Sequence, residues 1–243
     1  FLEGSVHPMG KIFDALDKAS RKTVVAAPAK GRAKKLVGQV RPAQNIVRLL
    51  NSRQRNRPNK LDRSLITFYD PQSQVAEMFK MLRTNILFPS AGKPPKTILI
   101  TSALPGDGKS FVSANLAVSI AQGVEEHVLL IDGDIRKPTL HTQFGIGNVE
   151  GLSEYLSKGN TIAEYMQRTE VQKLTLVPAG SPPAKPSELM ASKKMKELLE
   201  EVKSRYNDRY ILIDSPPPSI AAETLIMSQY VDGIIVVVKA GGT

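Results

Sequence analysis

Cysteine is absent from all 243 residues, which excludes disulfides and thiolate-held metals. No apolar run approaches the ~18 residues that cross a bilayer. The longest, such as Ile234–Val238, have the length of buried strands. No secretory leader is visible, and a soluble, cytoplasmic protein is the expectation. The part expected to fold also lacks a basic excess, although the formal net charge is +10. Residues 1–66 carry 15 Lys/Arg against 4 Asp/Glu, whereas residues 67–243 carry 18 against 19. A near-neutral domain therefore follows a basic leading segment, which argues against nucleic acid as that domain's partner.

The length suits one sizeable α/β domain with an appendage, divided at 1–66 and 67–243. Residues before Met9 have no pattern, and Met9 is a candidate natural start. Ile12, Phe13, Leu16 and Ala19 share a helical face, the mark of a short amphipathic helix. Residues 26–58, rich in Ala, Pro, Gly and Arg/Lys, read as a flexible basic linker. Val75, Phe79, Leu82 and Ile86 predict a helix over 72–88, between Pro71 and Pro89. Glu77, Lys80 and Arg83 line up on its polar side, where they can pair with a neighbouring subunit. Residues 152–166 read as a surface-facing helix, and Ser187 as the N-cap of a helix running to Tyr206.

The chemistry concentrates in TILITSALPGDGKS, Thr97–Ser110. An apolar strand runs into a loop with Gly106 and Gly108, then Lys109, Ser110 and a helix with small residues. Glycines let backbone N–H groups turn inward, the helix start adds partial positive charge and the lysine adds a full one. Pro105, Gly106, Asp107, Gly108, Lys109, Ser110 and Phe111 are the candidate phosphate cradle, although Ala103 stands where the strict pattern wants glycine. Two further apolar strands end in acids: His127–Ile131 before Asp132 and Asp134, and Tyr210–Ile213 before Asp214. Open parallel sheets bind ligands at such strand ends. Three stations of this kind predict Mg-ATP binding on an α/β P-loop NTPase fold, with a doubly wound, mostly parallel sheet and helices on both faces. The chain stops after the strand Ile234–Val238, and the domain is expected to be truncated there.

ALPGDGKS, LLIDGDIRKP and ILIDSPP resemble the Walker A, A′ and B motifs of the bacterial tyrosine kinases of capsule and exopolysaccharide synthesis. PAGSPPAKPSEL and RKPTLH are also similar to that family, and the resemblance covers roughly Asp70 to Thr243. It implies an ATP-dependent tyrosine autokinase in which Lys109 holds the β- and γ-phosphates and Ser110, Asp134 and Asp214 hold Mg²⁺ or its waters. Asp132 would orient or deprotonate the tyrosine hydroxyl, making Lys109, Asp132 and Asp134 the candidate catalytic residues. The resemblance further implies a membrane-embedded polysaccharide co-polymerase as activator, recruitment to the inner face of the membrane, and a homo-oligomer through the helix bearing Glu77, Lys80 and Arg83. Lys80 departs from the family's arginine, and Lys lacks the planar fork of Arg. The six tyrosines are scattered and mostly flank apolar segments, where core packing is expected; they form no tail cluster like the family's acceptor, which is expected to be missing from this chain or removed. A ParA/MinD-type positioning ATPase is the nearest alternative, but Leu104 stands where that group has an early lysine. A nucleotide-dependent, non-catalytic regulator of polysaccharide export is the other.

Overall fold

A computed structural model describes residues 60–159, 161–205 and 208–241. The amphipathic segment at 12–19 and the linker at 26–58 lie outside them. Five parallel strands form the sheet: β1 (Thr97–Ser102), β2 (His127–Asp132), β4 (Leu174–Val177), β5 (Arg209–Asp214) and β6 (Gly233–Val237). A two-residue strand, β3 (Gln167–Arg168), adds antiparallel to β4, and the spatial order is β3-β4-β2-β5-β1-β6. β5 thus lies between β1 and β2, with Ile100 and Asp132 both in register with Asp214.

Side chains alternate across a strand, so each apolar strand feeds two cores. Ile98, Ile100, Val128, Leu130 and Leu212 point to one, while Leu99, Leu129, Ile131, Ile211 and Ile213 point to the other. The first face is covered by α1 (Ile66–Tyr69), α2 (Gln74–Leu87), α3 (Lys109–Ala121) and the short α4 (Leu140–Gln143). Residues 113–121 of α3 are all buried, and Ala114 and Ala117 let it lie close to the strands. Truncating Leu116, which is fully buried, to Ala is worth about 2–5 kcal/mol.

Ser73 caps α2 by accepting the Ala76 N–H at 3.2 Å. Phe79 and Ile86 are buried as their spacing predicts, but Val75 is exposed and Ala76 takes the inward position. The packed unit also reaches back beyond the expected boundary at 67. Leu61 and Leu65 are core residues, and Asn115 of α3 binds the backbone of both Ser64 and Thr67.

Three expectations need correction. Residues 152–166 are not one surface helix: α5 (Leu152–Lys158) is followed by a 3₁₀ turn, and Leu152, Tyr155, Leu156 and Tyr165 are buried. Ser187 is no N-cap but sits inside a short α6 (Pro186–Met190). The chain breaks at Ala191–Ser192 and restarts as α7 (Lys193–Arg205), where Ser192 Oγ accepts the Met195 N–H at 3.3 Å. The strand at 234–238 is not buried. Among the described residues it is an edge, with Ile234 and Val236 50% and 58% exposed. The Glu77–Lys80–Arg83 row also makes contacts within the chain. Lys80 pairs with Glu77 at 2.7 Å and also donates to the Pro71 carbonyl, and Arg83 donates to the Ser119 carbonyl of α3. No helix among the described residues is long and apolar enough to cross a membrane.

Candidate functional site

The loop after β1 turns on glycine. Gly106 and Gly108 have φ of 91° and 96°, a region that side-chain-bearing residues avoid. Asp107 closes the turn by accepting the Leu104 N–H at 2.8 Å. The first helical bond runs from the Val112 N–H to the Gly108 carbonyl, so the N–H groups of Lys109, Ser110 and Phe111 precede the ladder and remain available to an anion. Pro105 and Gly106 are exposed at the tip. The Phe111 ring turns away and packs edge-on against Phe79 at 6.0 Å, leaving only its backbone to the loop.

Because β1, β5 and β2 are neighbours, the stations that follow them meet, although they stand up to 105 positions apart in the sequence. Lys109 Nζ lies 2.8 Å from Asp134 Oδ2 and 3.8 Å from Asp214 Oδ2. Ser110 Oγ donates to Asp214 Oδ2 at 2.6 Å. Asp132 faces the same point from β2, in register with Asp214. Its carboxylate accepts the N–H groups of Asp134 at 3.3 Å and Leu140 at 3.2 Å. Gly133 makes the approach possible: its N–H donates to the Asp214 carbonyl at 2.8 Å, and a Cβ there would meet that oxygen at 2.7 Å.

Asp132 and Asp214 are fully buried and Asp134 is nearly so, against one lysine. Burial raises the Asp132 carboxyl well above the usual range, and the charges of Asp214 and Asp134 raise it further. Burial also raises Asp214, against the pull of Lys109 and the hydroxyls of Ser110 and Ser113. For Lys109, burial alone would depress the ammonium, but the Asp214, Asp134 and Asp132 carboxylates together hold it above its ordinary value. The cluster is short of positive charge, as a site for a divalent cation should be. Mg²⁺ is normally held by one or two carboxylates with phosphate oxygens and water. Among the described residues, no three His, Cys, Asp or Glu side chains form a closed metal site. Ser110, Asp134 and Asp214 are oxygen donors of the kind that fit an ion shared with phosphates.

Sequence reasoning missed two contributors, Ser113 and Glu223, and left the role of Arg136 open. Ser113 Oγ donates to Asp214 Oδ1 at 2.9 Å, and its place one turn after Lys109 on α3 was a legible signal. Arg136, two residues beyond Asp134, pairs through Nε with Glu223 at 2.9 Å and donates to Ser187 Oγ at 2.6 Å. Glu223 opens α8 (Glu223–Met227), is 1% exposed, and nothing local in the sequence marks it as Arg136's partner.

Comparison with known proteins gives the family. A family model described as an AAA domain matches residues 95–241. The tyrosine-protein kinase YwqD of Bacillus subtilis (strain 168) is 39% identical over 189 residues, covering 78% of this chain and 78% of YwqD. The solved kinase domain of the Escherichia coli tyrosine kinase ETK matches with a TM-score of 0.70 at 29% identity, over 80% of this chain and 75% of that one. The septum site-determining protein MinD of Pyrococcus horikoshii OT3 matches with a TM-score of 0.50 at 24% identity, over 58% of this chain and 57% of that one, a likeness of fold alone. Identity at the level seen with YwqD, over more than three quarters of both chains, makes this chain a member of the bacterial tyrosine-protein kinase family.

Proposed function

We propose that this chain transfers the γ-phosphoryl group of ATP to a tyrosine hydroxyl and thereby regulates capsule or exopolysaccharide synthesis. The observation that carries the reading is the convergence of Lys109, Asp132, Asp134 and Asp214 beside the glycine loop. In this reading the N–H groups of residues 106–111 and Lys109 bind the β- and γ-phosphates. Lys109 exchanges its carboxylate partners for phosphate oxygens when ATP arrives. Ser110, Asp214 and Asp134 would hold Mg²⁺, which neutralises charge on the phosphates when bound.

Asp132 orients the acceptor. Its two backbone donors fix the carboxylate, and it takes the phenol proton as the tyrosine oxygen bonds to the γ-phosphorus. The bond from that phosphorus to the bridging oxygen breaks and ADP departs. A phenol with a reference pKa near 10 needs such help at neutral pH.

The acceptor is a tyrosine of another segment or protein. The activator is a membrane-embedded polysaccharide co-polymerase, which recruits the kinase to the inner face of the membrane. Self-association through α2 belongs to the same reading, with the donors that Lys80 and Arg83 do not spend on Glu77, Pro71 and Ser119.

The test is phosphotyrosine formation by the full chain with Mg-ATP and the activator's cytoplasmic segment. Signal that disappears in Lys109→Met supports the reading. Absence of signal with the intact chain sinks it, and ATP hydrolysis stimulated by DNA or lipid would instead favour a positioning ATPase.

A further inference from the structure

A cleft of about 340 Å³ opens beside the acids, between the loops that follow β2 and β4. Pro138, His141, Asn148, Glu150, Pro178 and Pro182 line it. Its near wall is tied to the site: the Lys137 N–H donates to Asp134 Oδ1 at 3.1 Å and the Leu140 N–H to Asp132 Oδ2 at 3.2 Å. Pro138 lies between those two anchors, and His141 follows the second.

Strand order gives the cleft its place. Across the carboxyl ends of the sheet the sequence of strands is β4, β2, β5, β1. The glycine loop follows β1, the Asp132/Asp134 pair follows β2, and the cleft lies on the β4 side of that pair. The acids therefore stand between the phosphate loop and the cleft, where a group that takes a proton from an incoming hydroxyl belongs. The nucleotide approaches from one side and the cleft is left for the other reactant.

We infer that this cleft, between the loops after β2 and β4, seats the tyrosine-bearing peptide that accepts the phosphoryl group, with the aromatic ring against Pro138, Pro178 and His141. The inference rests on the kinase reading and adds to it the surface that recognises the acceptor. Volume suits the occupant: ligand sites run from about 300 to 1,000 Å³, and one aromatic side chain with flanking backbone needs the low end. Chemistry suits it too. Proline rings give flat apolar faces, Asn148 and Ser181 give hydrogen bonds at the rim, and burial holds the His141 imidazole below its usual range. Glu150 is already paired with Lys158. The lining thus presents no unbalanced charge to attract a second phosphate or a carboxylate.

The occupant comes as an extended segment from outside the described fold. Tyr155, Tyr165 and Tyr210 are 6%, 3% and 4% exposed. The Tyr69 hydroxyl donates to the Leu61 carbonyl at 2.6 Å, and the Tyr230 ring lies beneath Lys196. None of these presents its hydroxyl as an extended peptide does.

The probe is a short fluorescent peptide with neutral flanks and one central tyrosine, together with its phenylalanine analogue, which binds without reacting. Anisotropy reads the affinity of the phenylalanine peptide for the full chain with a non-hydrolysable ATP analogue, and steady-state kinetics read KM for the tyrosine peptide. His141→Ala removes a wall, and Asn148→Trp fills the cleft from an exposed rim position. Both are expected to weaken peptide binding and raise peptide KM by at least about tenfold while nucleotide affinity stays the same. If either variant loses nucleotide binding, Ser181→Tyr fills the same space from the opposite rim. Failure of the intact chain to bind the peptide, or wild-type peptide affinity in the filled variants, overturns the assignment. Loss of phosphotyrosine in Lys109→Met with unchanged peptide KM in the cleft variants would leave the kinase standing and remove the cleft from it.

Discussion

Arg136→Met isolates one buried charge. Glu223 is 1% exposed, its Oε1 accepts Arg136 Nε at 2.9 Å, and its Oε2 has no protein partner. Removing the cation leaves that carboxylate with no countercharge from Arg136. Stripping the partner from a fully buried ion costs about 3–5 kcal/mol. The Arg136 side chain is 35% exposed, so water already screens the pair and the expected loss falls to about 2 kcal/mol. The bond from Arg136 to exposed Ser187 adds little.

At this chain length, about 2 kcal/mol lowers Tm by roughly 4–8 °C. Urea unfolding of the full chain at neutral pH should show the loss as a lower midpoint with an unchanged slope. The double variant Arg136→Met/Glu223→Leu removes the stranded charge as well and should recover most of the stability. A single variant as stable as the parent, or a double variant no better than the single, refutes the reasoning. Arg136 also ties the loop two residues beyond Asp134 to α6 and α8, so phosphotyrosine kcat should fall in the single variant while ATP affinity changes little.

Gly133→Ala tests the close approach of the strand tips. The added methyl would sit 2.7 Å from the Asp214 carbonyl oxygen, so β2 and β5 must separate locally. Expected are a stability loss of about 1–3 kcal/mol and weakened Mg-ATP binding; parent-like nucleotide affinity would contradict this. Glu154 supplies a pH test. Burial alone would raise its carboxyl, but N–H groups of Gly151 at 2.7 Å and Ser181 at 3.1 Å hold it below the usual range. Its contribution to stability is therefore complete above the ordinary glutamate value of about 4.3 and is lost as pH falls through the lower folded value. The stability gap between parent and Glu154→Gln should shrink on acidification from pH 7 to 3, and a gap independent of pH would disprove the assignment.

Much of the site was written locally. The phosphate loop needs a strand, glycines at positive φ, lysine, serine and a helix, and all of these lie within Thr97–Ala121. Asp132, Asp134 and Asp214 were legible for the same reason: a short apolar run ending in acid announces a strand tip wherever it occurs. The α2 helix was visible in its apolar spacing, because a 3.6-residue period depends only on near neighbours.

What the sequence left open depends on which elements become neighbours. Residues 152–166 read as one surface helix because a local window does not show what packs on it, and docking against the second core buries Leu152, Tyr155, Leu156 and Tyr165. The run 234–238 reads as a buried strand because hydropathy does not say whether a strand has a neighbour on both sides. No periodicity links Arg136 to Glu223, which are 87 positions apart. The insertion of β5 between β1 and β2 is likewise a property of the whole sheet, chosen by the burial of both faces at once, and it is this placement that brings Lys109 to Asp134 and Asp214. Sequence determined which groups stand at the strand tips; packing decided which tips touch.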